Sequence, residues 1–238
     1  MKALVLAAGI GSRLKLKDIP KPMYEIDGKP ILEHNILLLK KYNILDICVT
    51  VHHKGEVIKN YFGDGSRFGV NIKYSFEEKL LGTSGALRAV NWFLDDKPFF
   101  VVYGDNYTNI NLGEMLQFHK SNKPIATIAL FDKNKSLNSD IAGGVIAIDK
   151  DNRIISFTEG KGRQSSGYVN AGVYVLEPQI LDMIPEQHSD FGKDVFPKLL
   201  DRNLLLKGYL TDSFVLAIDT EEALSVTKNK LKEKREIK

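Results

Sequence analysis

Three stretches of this chain carry side chains arranged for chemistry on phosphates. The segment Leu6-Ala-Ala-Gly-Ile-Gly-Ser-Arg-Leu14 follows an apolar run directly. Its glycines, Gly9 and Gly11, let the backbone bend sharply and turn amides toward an anion, and Ser12 adds a hydroxyl. Arg13 supplies a planar positive fork suited to phosphate oxygens. Lys21 is held between two prolines, Pro20 and Pro22. Asp105 ends the apolar run Pro98-Phe-Phe-Val-Val-Tyr-Gly-Asp105. A carboxylate at the carboxyl end of a strand faces the crevice where α/β folds bind ligands. It suits Mg2+, a hard ion that takes one or two carboxylates and leaves room for phosphate oxygens and water.

The spacing excludes two common phosphate sites. A dinucleotide fingerprint needs a third glycine near position 14, then a helix and an acidic residue about 20 positions on. Position 14 is leucine, and the chain continues as Lys15-Leu-Lys-Asp-Ile-Pro20. A Walker loop would need Gly-Lys-Ser/Thr, which is absent.

Six stretches in order, Leu6–Leu14, Pro20-Lys-Pro-Met23, Gly28-Lys-Pro30, Gly82-Thr-Ser-Gly-Ala86, Gly104-Asp105 and Asn170-Ala-Gly172, resemble the sugar-1-phosphate nucleotidyltransferase family. Asp18-Ile-Pro-Lys-Pro-Met23 looks most like heptose- and mannose-1-phosphate guanylyltransferases. The resemblance implies a nucleoside triphosphate and a sugar 1-phosphate as partners, Mg2+ as cofactor, and release of pyrophosphate. It implies that Leu6, Ala7, Ala8, Gly9, Gly11 and Ser12 wrap the nucleotide. Arg13 would hold the β and γ phosphates, Lys21 would face the α-phosphate, and Asp105 would anchor the metal. Both reactants are anions, so positioning and charge neutralisation are what such chemistry demands.

The remaining assignments follow the same resemblance. Many relatives carry Asp-x-Gly-Thr on a late strand; here the stretch is Leu216-Ala-Ile-Asp-Thr220, which displaces the aspartate by two residues and keeps Asp219 on the same strand face. Asp219 is the second metal candidate, with a helix N-cap as its other reading. Phe157-Thr-Glu-Gly-Lys161 resembles the family's Glu-Lys-Pro with a glycine inserted, so Glu159 would bond sugar hydroxyls and Lys161 the sugar phosphate. Gly104, Gly144 and Asn170 match sugar-contacting positions. Gly82, Thr83 and Gly85 would support the base, which Glu77 would read where uridylyl and thymidylyl relatives carry glutamine. An ionised carboxylate only accepts hydrogen bonds, and guanine presents two adjacent donors, so Glu77 points to GTP. A solvated loop charge is its other reading. Three alternatives stay open: a uridylyl- or thymidylyltransferase for another hexose 1-phosphate, a cytidylyltransferase for a non-sugar phosphate, and a silent nucleotide-sugar sensor.

Elements of matching length must position these groups. Apolar runs at Lys2–Ala8, Asp46–Val51, Asn71–Ser75, Phe99–Tyr103 and Ile125–Phe131 read as strands. They alternate with helical patterns at Ile31–Tyr42, Gly55–Phe62, Gly85–Phe93 and Leu112–Ser121. Beyond residue 140 the pattern predicts a hairpin, Gly144–Asp149 with Arg153–Phe157, and a strand at Tyr168–Leu176. A helix near Phe191–Leu200, a strand near Leu204–Leu210 and a last helix from Glu221 complete the chain. The expected fold class is α/β: a Rossmann-like α/β/α sandwich on a mixed, mostly parallel sheet. One domain spans residues 1–238, with a nucleotide half at 1–130 and an acceptor half at 131–238.

Composition narrows the partners. Thirty-three basic residues against 30 acidic leave a net charge of +3, too balanced for a nucleic-acid binder. The basic run Lys228–Arg235 reads as a solvated helix end. The single cysteine, Cys48, sits in Ile47-Cys-Val-Thr-Val51 and reads as a small buried hydrophobe. His52 and His53 are adjacent, so they would point to opposite strand faces and read as loop or surface histidines rather than a metal pair. The N-terminal apolar run is too short for a signal peptide and no run reaches the roughly 18 residues of a membrane span, so a cytoplasmic enzyme is expected. The sequence leaves a monomer and a homo-oligomer equally open.

Overall fold

The computed structural model describes residues 1–11, 19–132, 145–158, 167–218 and 220–236. Its first half contains strands β1 (Lys2–Leu6), β2 (Glu25–Ile26), β3 (Lys29–Pro30), β4 (Asp46–Val51), β5 (Asn71–Phe76), β6 (Phe99–Tyr103), β7 (Asn106–Thr108) and β8 (Ala126–Asp132). The second half adds β9 (Val145–Ile148), β10 (Ile154–Thr158), β11 (Tyr168–Leu176), β12 (Leu206–Leu210) and β13 (Val215–Ala217). The α-helices are α1 (Ile31–Lys41), α2 (Gly55–Phe62), α3 (Gly82–Ala89), α4 (Leu112–Asn122), α5 (Phe196–Asp201) and α6 (Glu221–Glu236).

Nine strands form one sheet among the described residues, ordered β10-β9-β11-β6-β1-β4-β5, with β8 between β11 and β12. Strands β1, β4, β5, β6, β8, β9 and β12 point one way, and only β10 and β11 run against them. The mixed, mostly parallel sheet is thus present. It is continuous across residue 130, because β6 and β11 pair directly.

Alternation along the strands builds a core on each face, since successive side chains point opposite ways. Ala3 and Val5 of β1, Ile47, Val49 and Val51 of β4, and Phe100 and Val102 of β6 pack on one face with Leu32, Ile36 and Leu39 of α1 and Ile58 of α2. Leu4, Cys48, Phe99 and Val101 pack on the other with Leu87 of α3 and Phe196 and Leu199 of α5. These are the two helix layers of an α/β/α sandwich. Burial of Cys48 pushes its thiol up to about 12, which keeps it protonated and inert.

Boundaries differ from expectation where glycine or short length decides. β1 ends at Leu6 rather than Ala8, and α3 begins at Gly82 and ends at Ala89, with a separate 3-10 turn at Asn91–Phe93. The ribbon of β7 and β13 was not foreseen, because strands of three residues carry too little alternation to read. The hairpin β9–β10 closes on the polar turn Asp149–Asn152, where Asp149 Oδ1 accepts the amides of Asp151 and Arg153, each at 2.9 Å.

Candidate active site

The parallel strands β6, β1, β4 and β5 deliver their carboxyl ends to one crevice. β1 runs out through Ala7 into the glycine turn, and the Ala7 amide donates to the Thr50 carbonyl at 3.1 Å. Gly9 lines the crevice, and a Cβ there would meet nothing within 4 Å. Gly11 has φ +64°, and a Cβ there would lie 3.2 Å from Lys21 Cβ. The left-handed conformation at 11 favours glycine, and a side chain there would crowd Lys21.

Lys21 opens a 3-10 turn, Lys21–Met23, that follows Pro20 and is only 7% exposed. Its Nζ lies 2.5 Å from Asp105 Oδ2, an ion pair across 84 residues of sequence. An ammonium this deep needs an anion beside it. The two groups expected to handle the α-phosphate and the metal thus face one another directly. Asp105 follows Gly104 at the end of β6, and the Gly104 amide donates to the Leu6 carbonyl at 2.9 Å. A Cβ on Gly104 would stand 2.9 Å from that same oxygen. The missing side chain of Gly104, expected to let the sugar phosphate approach closely, also lets β6 close on β1.

A cavity of about 250 Å3 opens beside this pair. Of the expected nucleotide residues, Leu6, Ala8, Gly9, Glu77, Gly82 and Thr83 line it, as does Asp105. Glu77 follows β5 and is 7% exposed. Its Oε2 accepts the Leu81 amide at 3.0 Å, while its Oε1 is buried with no hydrogen-bond partner among the described residues. Burial pushes the Glu77 carboxyl above the usual range; the Leu81 amide, then His52 and His188, pull it back. The solvated-charge reading of Glu77 does not survive this burial. His52 is half-buried and its Nδ1 donates to the Glu77 carbonyl at 2.7 Å, while His53 is exposed.

The Gly82–Gly85 loop is held from the far side of the crevice. Gly82 has φ +75°, and a Cβ there would sit 2.3 Å from the Ser189 carbonyl oxygen. That oxygen accepts the Ser84 and Gly85 amides at 3.0 and 3.1 Å. Thr83 donates its amide and hydroxyl to Asp190 Oδ1 at 3.0 and 3.2 Å. Two of the expected nucleotide residues stand outside the cavity lining: the Gly85 amide donates to Ser189, and the Ala7 amide to Thr50.

Asn170 also serves the chain itself. Its Nδ2 donates to Tyr174 Oη at 2.7 Å and its Oδ1 accepts the Gly172 amide at 2.9 Å. The pairing register of β11 with β8 shifts here, and Gly172 at φ +70° passes so near Tyr103 that a Cβ would lie 2.8 Å from its Cγ. Asn170, the expected sugar contact, thus also braces the bulge of β11. Ser12, Arg13, Gly144, Glu159, Lys161 and Asp219 lie outside the described residues. Among the described residues no cluster of three or more His, Cys, Asp or Glu could hold a metal ion.

Thr50, Leu80, Tyr103 and His188 line the cavity without having been singled out from the sequence. Thr50 and Tyr103 were accessible to the rule that strand ends make the site. His188 was not, because it stands in an irregular stretch between a 3-10 turn and α5.

Comparison with known proteins places this geometry. The sequence profile of the nucleotidyl transferase family matches residues 2–214. A UTP–glucose-1-phosphate uridylyltransferase of Synechocystis is 38% identical over 221 residues, covering 86% of this chain and 56% of that protein. The chain thus spans little more than half of that relative's length. The D-glycero-alpha-D-manno-heptose 1-phosphate guanylyltransferase of Campylobacter jejuni is 35% identical over 218 residues, covering 89% of this chain and 94% of that one. The crystal structure of HddC from Yersinia pseudotuberculosis complexed with GMP-PN superposes with a TM-score of 0.80 at 26% identity, over 96% of this chain and 98% of that one. Among the described residues no helix is long and apolar enough to cross a membrane.

Proposed function

This chain belongs to the nucleotidyl transferase family, and from that premise we propose that it transfers the guanylyl group of GTP to a sugar 1-phosphate. An oxygen of the sugar phosphate attacks the α-phosphorus; the bond from that phosphorus to the bridging oxygen breaks, and pyrophosphate leaves with the electron pair. The observation that carries GTP is Glu77, a carboxylate on the cavity wall whose buried Oε1 has no hydrogen-bond partner among the described residues. An orphan acceptor of this kind costs about 1–3 kcal/mol until a ligand donor reaches it. Guanine offers the adjacent N1–H and amino donors, whereas uracil offers one N–H between two carbonyls that a carboxylate would repel. The guanylyltransferase relative that matches over nearly its whole length, acting on a manno-heptose 1-phosphate, agrees with this base and suggests a mannose- or heptose-type acceptor.

Lys21 and Asp105 are the chemical end of the site. Arriving triphosphate gives Lys21 a second anion, so its charge can follow the one that builds on the α-phosphate in the transition state. Asp105 fits a Mg2+ ion: its hard carboxylate oxygen already faces a cation, the Lys21 ammonium at 2.5 Å. Asp105, with Asp219 as second candidate, would hold the ion, which neutralises triphosphate charge when bound. Arg13 would grip the departing pyrophosphate, while Glu159 and Lys161 would hold the acceptor. The buried thiol of Cys48 and its solitary occurrence suit a reducing cytoplasm, and we place the enzyme there, in nucleotide-sugar supply for polysaccharides.

A second reading, UTP as donor, rests on the Synechocystis uridylyltransferase, which has the higher identity. Pyrophosphate release measured for GTP, UTP, dTTP and CTP against a panel of sugar 1-phosphates decides between them. GTP with mannose or heptose 1-phosphate should lead; release with UTP and glucose 1-phosphate alone establishes the second reading, and none with any pair overturns both.

A further inference from the structure

The cavity has a second polar wall that the reaction above leaves unused. His188 lines it, as does Glu77, and the two are near enough for the histidine to favour the ionised carboxylate. The histidine's backbone is not free to wander. Its neighbour Ser189 is fully buried and bonded on every side. Ser189 N donates to the Leu81 carbonyl at 2.9 Å, its carbonyl accepts the Ser84 and Gly85 amides, and its hydroxyl meets that of Ser84 at 2.7 Å. The close approach at Gly82, where no Cβ fits, seals this mount. An exposed imidazole on a rigidly held backbone at a cavity wall has the form of a recognition group.

The other hydroxyls on the wall are buried or already bonded. Thr50 is 1% exposed and its hydroxyl accepts the Ala7 amide at 3.3 Å. The Thr83 hydroxyl donates to Asp190 and accepts the Phe191 amide at 2.9 Å. The Tyr103 phenol bonds with Tyr174 and Thr83. Among the described residues no hydrogen bond engages the His188 ring. Guanine held by Glu77 through its two donors still presents acceptors, O6 and N7, that need a donor in turn. Glu77 cannot supply one, being acceptor-only when ionised.

We propose that His188 is a base-reading residue that donates an imidazole N–H to the acceptor edge of guanine while Glu77 takes its donor edge. This rests on the guanine reading above. Together the two residues would recognise both halves of the base, so that uracil and cytosine fail at one or the other. The pairing joins residues 111 positions apart and explains why the 187–191 segment is bolted so firmly to the Gly82 loop.

The test compares GTP with three analogues in wild type, His188→Ala and His188→Gln, by kcat/KM for pyrophosphate release. Inosine triphosphate lacks the amino group that Glu77 would accept; 6-thio-GTP weakens the O6 acceptor; 7-deaza-GTP removes N7. Wild type should discriminate by several-fold against at least one of the last two. In His188→Ala, GTP should lose about tenfold through KM, the worth of one hydrogen bond at the upper end of its range. That acceptor-edge discrimination should vanish while the GTP-to-inosine ratio stays at its wild-type value. His188→Gln, which keeps an N–H donor, should recover most of the loss; a general disturbance of the loop would move all three analogue ratios together and would not be rescued. A GTP-preferring wild type whose His188→Ala variant keeps its KM and both ratios overturns the His188 assignment alone. A wild type that uses UTP in place of GTP overturns the guanine reading and this inference with it.

Discussion

Glu77→Gln separates recognition from folding, because the structure assigns the two effects opposite signs. Oε2 has the Leu81 amide at 3.0 Å, and Oε1 has no partner among the described residues. In the free protein the substitution removes a buried charge and keeps an oxygen for Leu81, so the fold should gain roughly 1 kcal/mol at neutral pH. For a domain of this size that is about 2 °C in Tm. The pH dependence fixes the cause. Burial raises the folded-state pKa of Glu77 above the ordinary 4.5, so the folded chain holds this proton more tightly than the unfolded chain. The resulting penalty is absent below about pH 4.5 and grows as pH rises through the folded pKa. The Tm advantage of Glu77→Gln should therefore be largest at neutral pH and fade as pH falls toward 4.5. With GTP the sign reverses. The glutamine oxygen stays on Leu81 and its NH2 meets the guanine donors, which exchanges a charge-assisted bond worth roughly 1.5–3 kcal/mol for a donor–donor conflict. A fall of about tenfold to a hundredfold in kcat/KM for GTP follows, with UTP less affected. The measurements are thermal unfolding from pH 4 to 8 and the ranking of four triphosphates. Unchanged ranking would remove Glu77 from the base site, and a destabilised variant would refute the orphan-acceptor reasoning.

Asp105→Asn loses both the charge that would hold Mg2+ and the anion that pairs with buried Lys21, so steady-state turnover should drop about 10³-fold or more and the unfolding temperature should fall with it. Near-normal turnover in excess Mg2+ would exclude Asp105 as the metal anchor. Lys21→Gln should lower kcat far more than it raises KM for GTP, as expected of a group that acts mainly in the transition state; a pure KM effect contradicts that role. Lys161→Ala should raise KM for the sugar phosphate, and an unchanged KM would put Lys161 outside the acceptor site. Gly82→Ala forces a Cβ to 2.3 Å from the Ser189 carbonyl at φ +75°, so urea unfolding should show a loss of about 2–4 kcal/mol.

What could be read from the sequence, and what could not, divides along a physical line. The parallel strands were legible because strands buried on both faces are continuous apolar runs, as in Ile47-Cys-Val-Thr-Val51 and Phe99-Phe-Val-Val-Tyr103. Lys21 and Asp105 were legible as separate groups, from a proline frame and a strand end. Their direct contact was not, because nothing local reports a partner 84 residues away. His188 was hidden for the same reason, since its significance comes from the Gly82 loop lying against Ser189 and from no pattern in Glu186-Gln-His-Ser-Asp190.

The glycines show how one motif position can serve the chain's own packing as well as a ligand. Gly9, Gly11, Gly82, Gly85 and Gly104 all belong to stretches that suggest room for a ligand. Only Gly9 has open space where its side chain would be; Gly11 yields to Lys21, Gly82 and Gly85 to the 187–189 backbone, and Gly104 to the Leu6 carbonyl. Four of these five small residues thus allow the chain to approach itself. That self-approach is nonetheless functional. Closing β6 on β1 at Gly104 brings Asp105 to the crevice beside the glycine turn, and Gly11 leaves the space that the buried stem of Lys21 fills. Closing the Gly82 loop on Ser189 sets Thr83 and His188 on one cavity wall with Glu77. A side chain added at any of the four would displace a neighbouring strand or loop first and the site second. Substitutions there should therefore lower stability and activity together, whereas Gly9→Ala, with open space at its Cβ, should leave the unfolding temperature near wild type and act on nucleotide binding alone. Equal destabilisation of Gly9→Ala and Gly104→Ala, measured by thermal unfolding without ligand, would break this distinction.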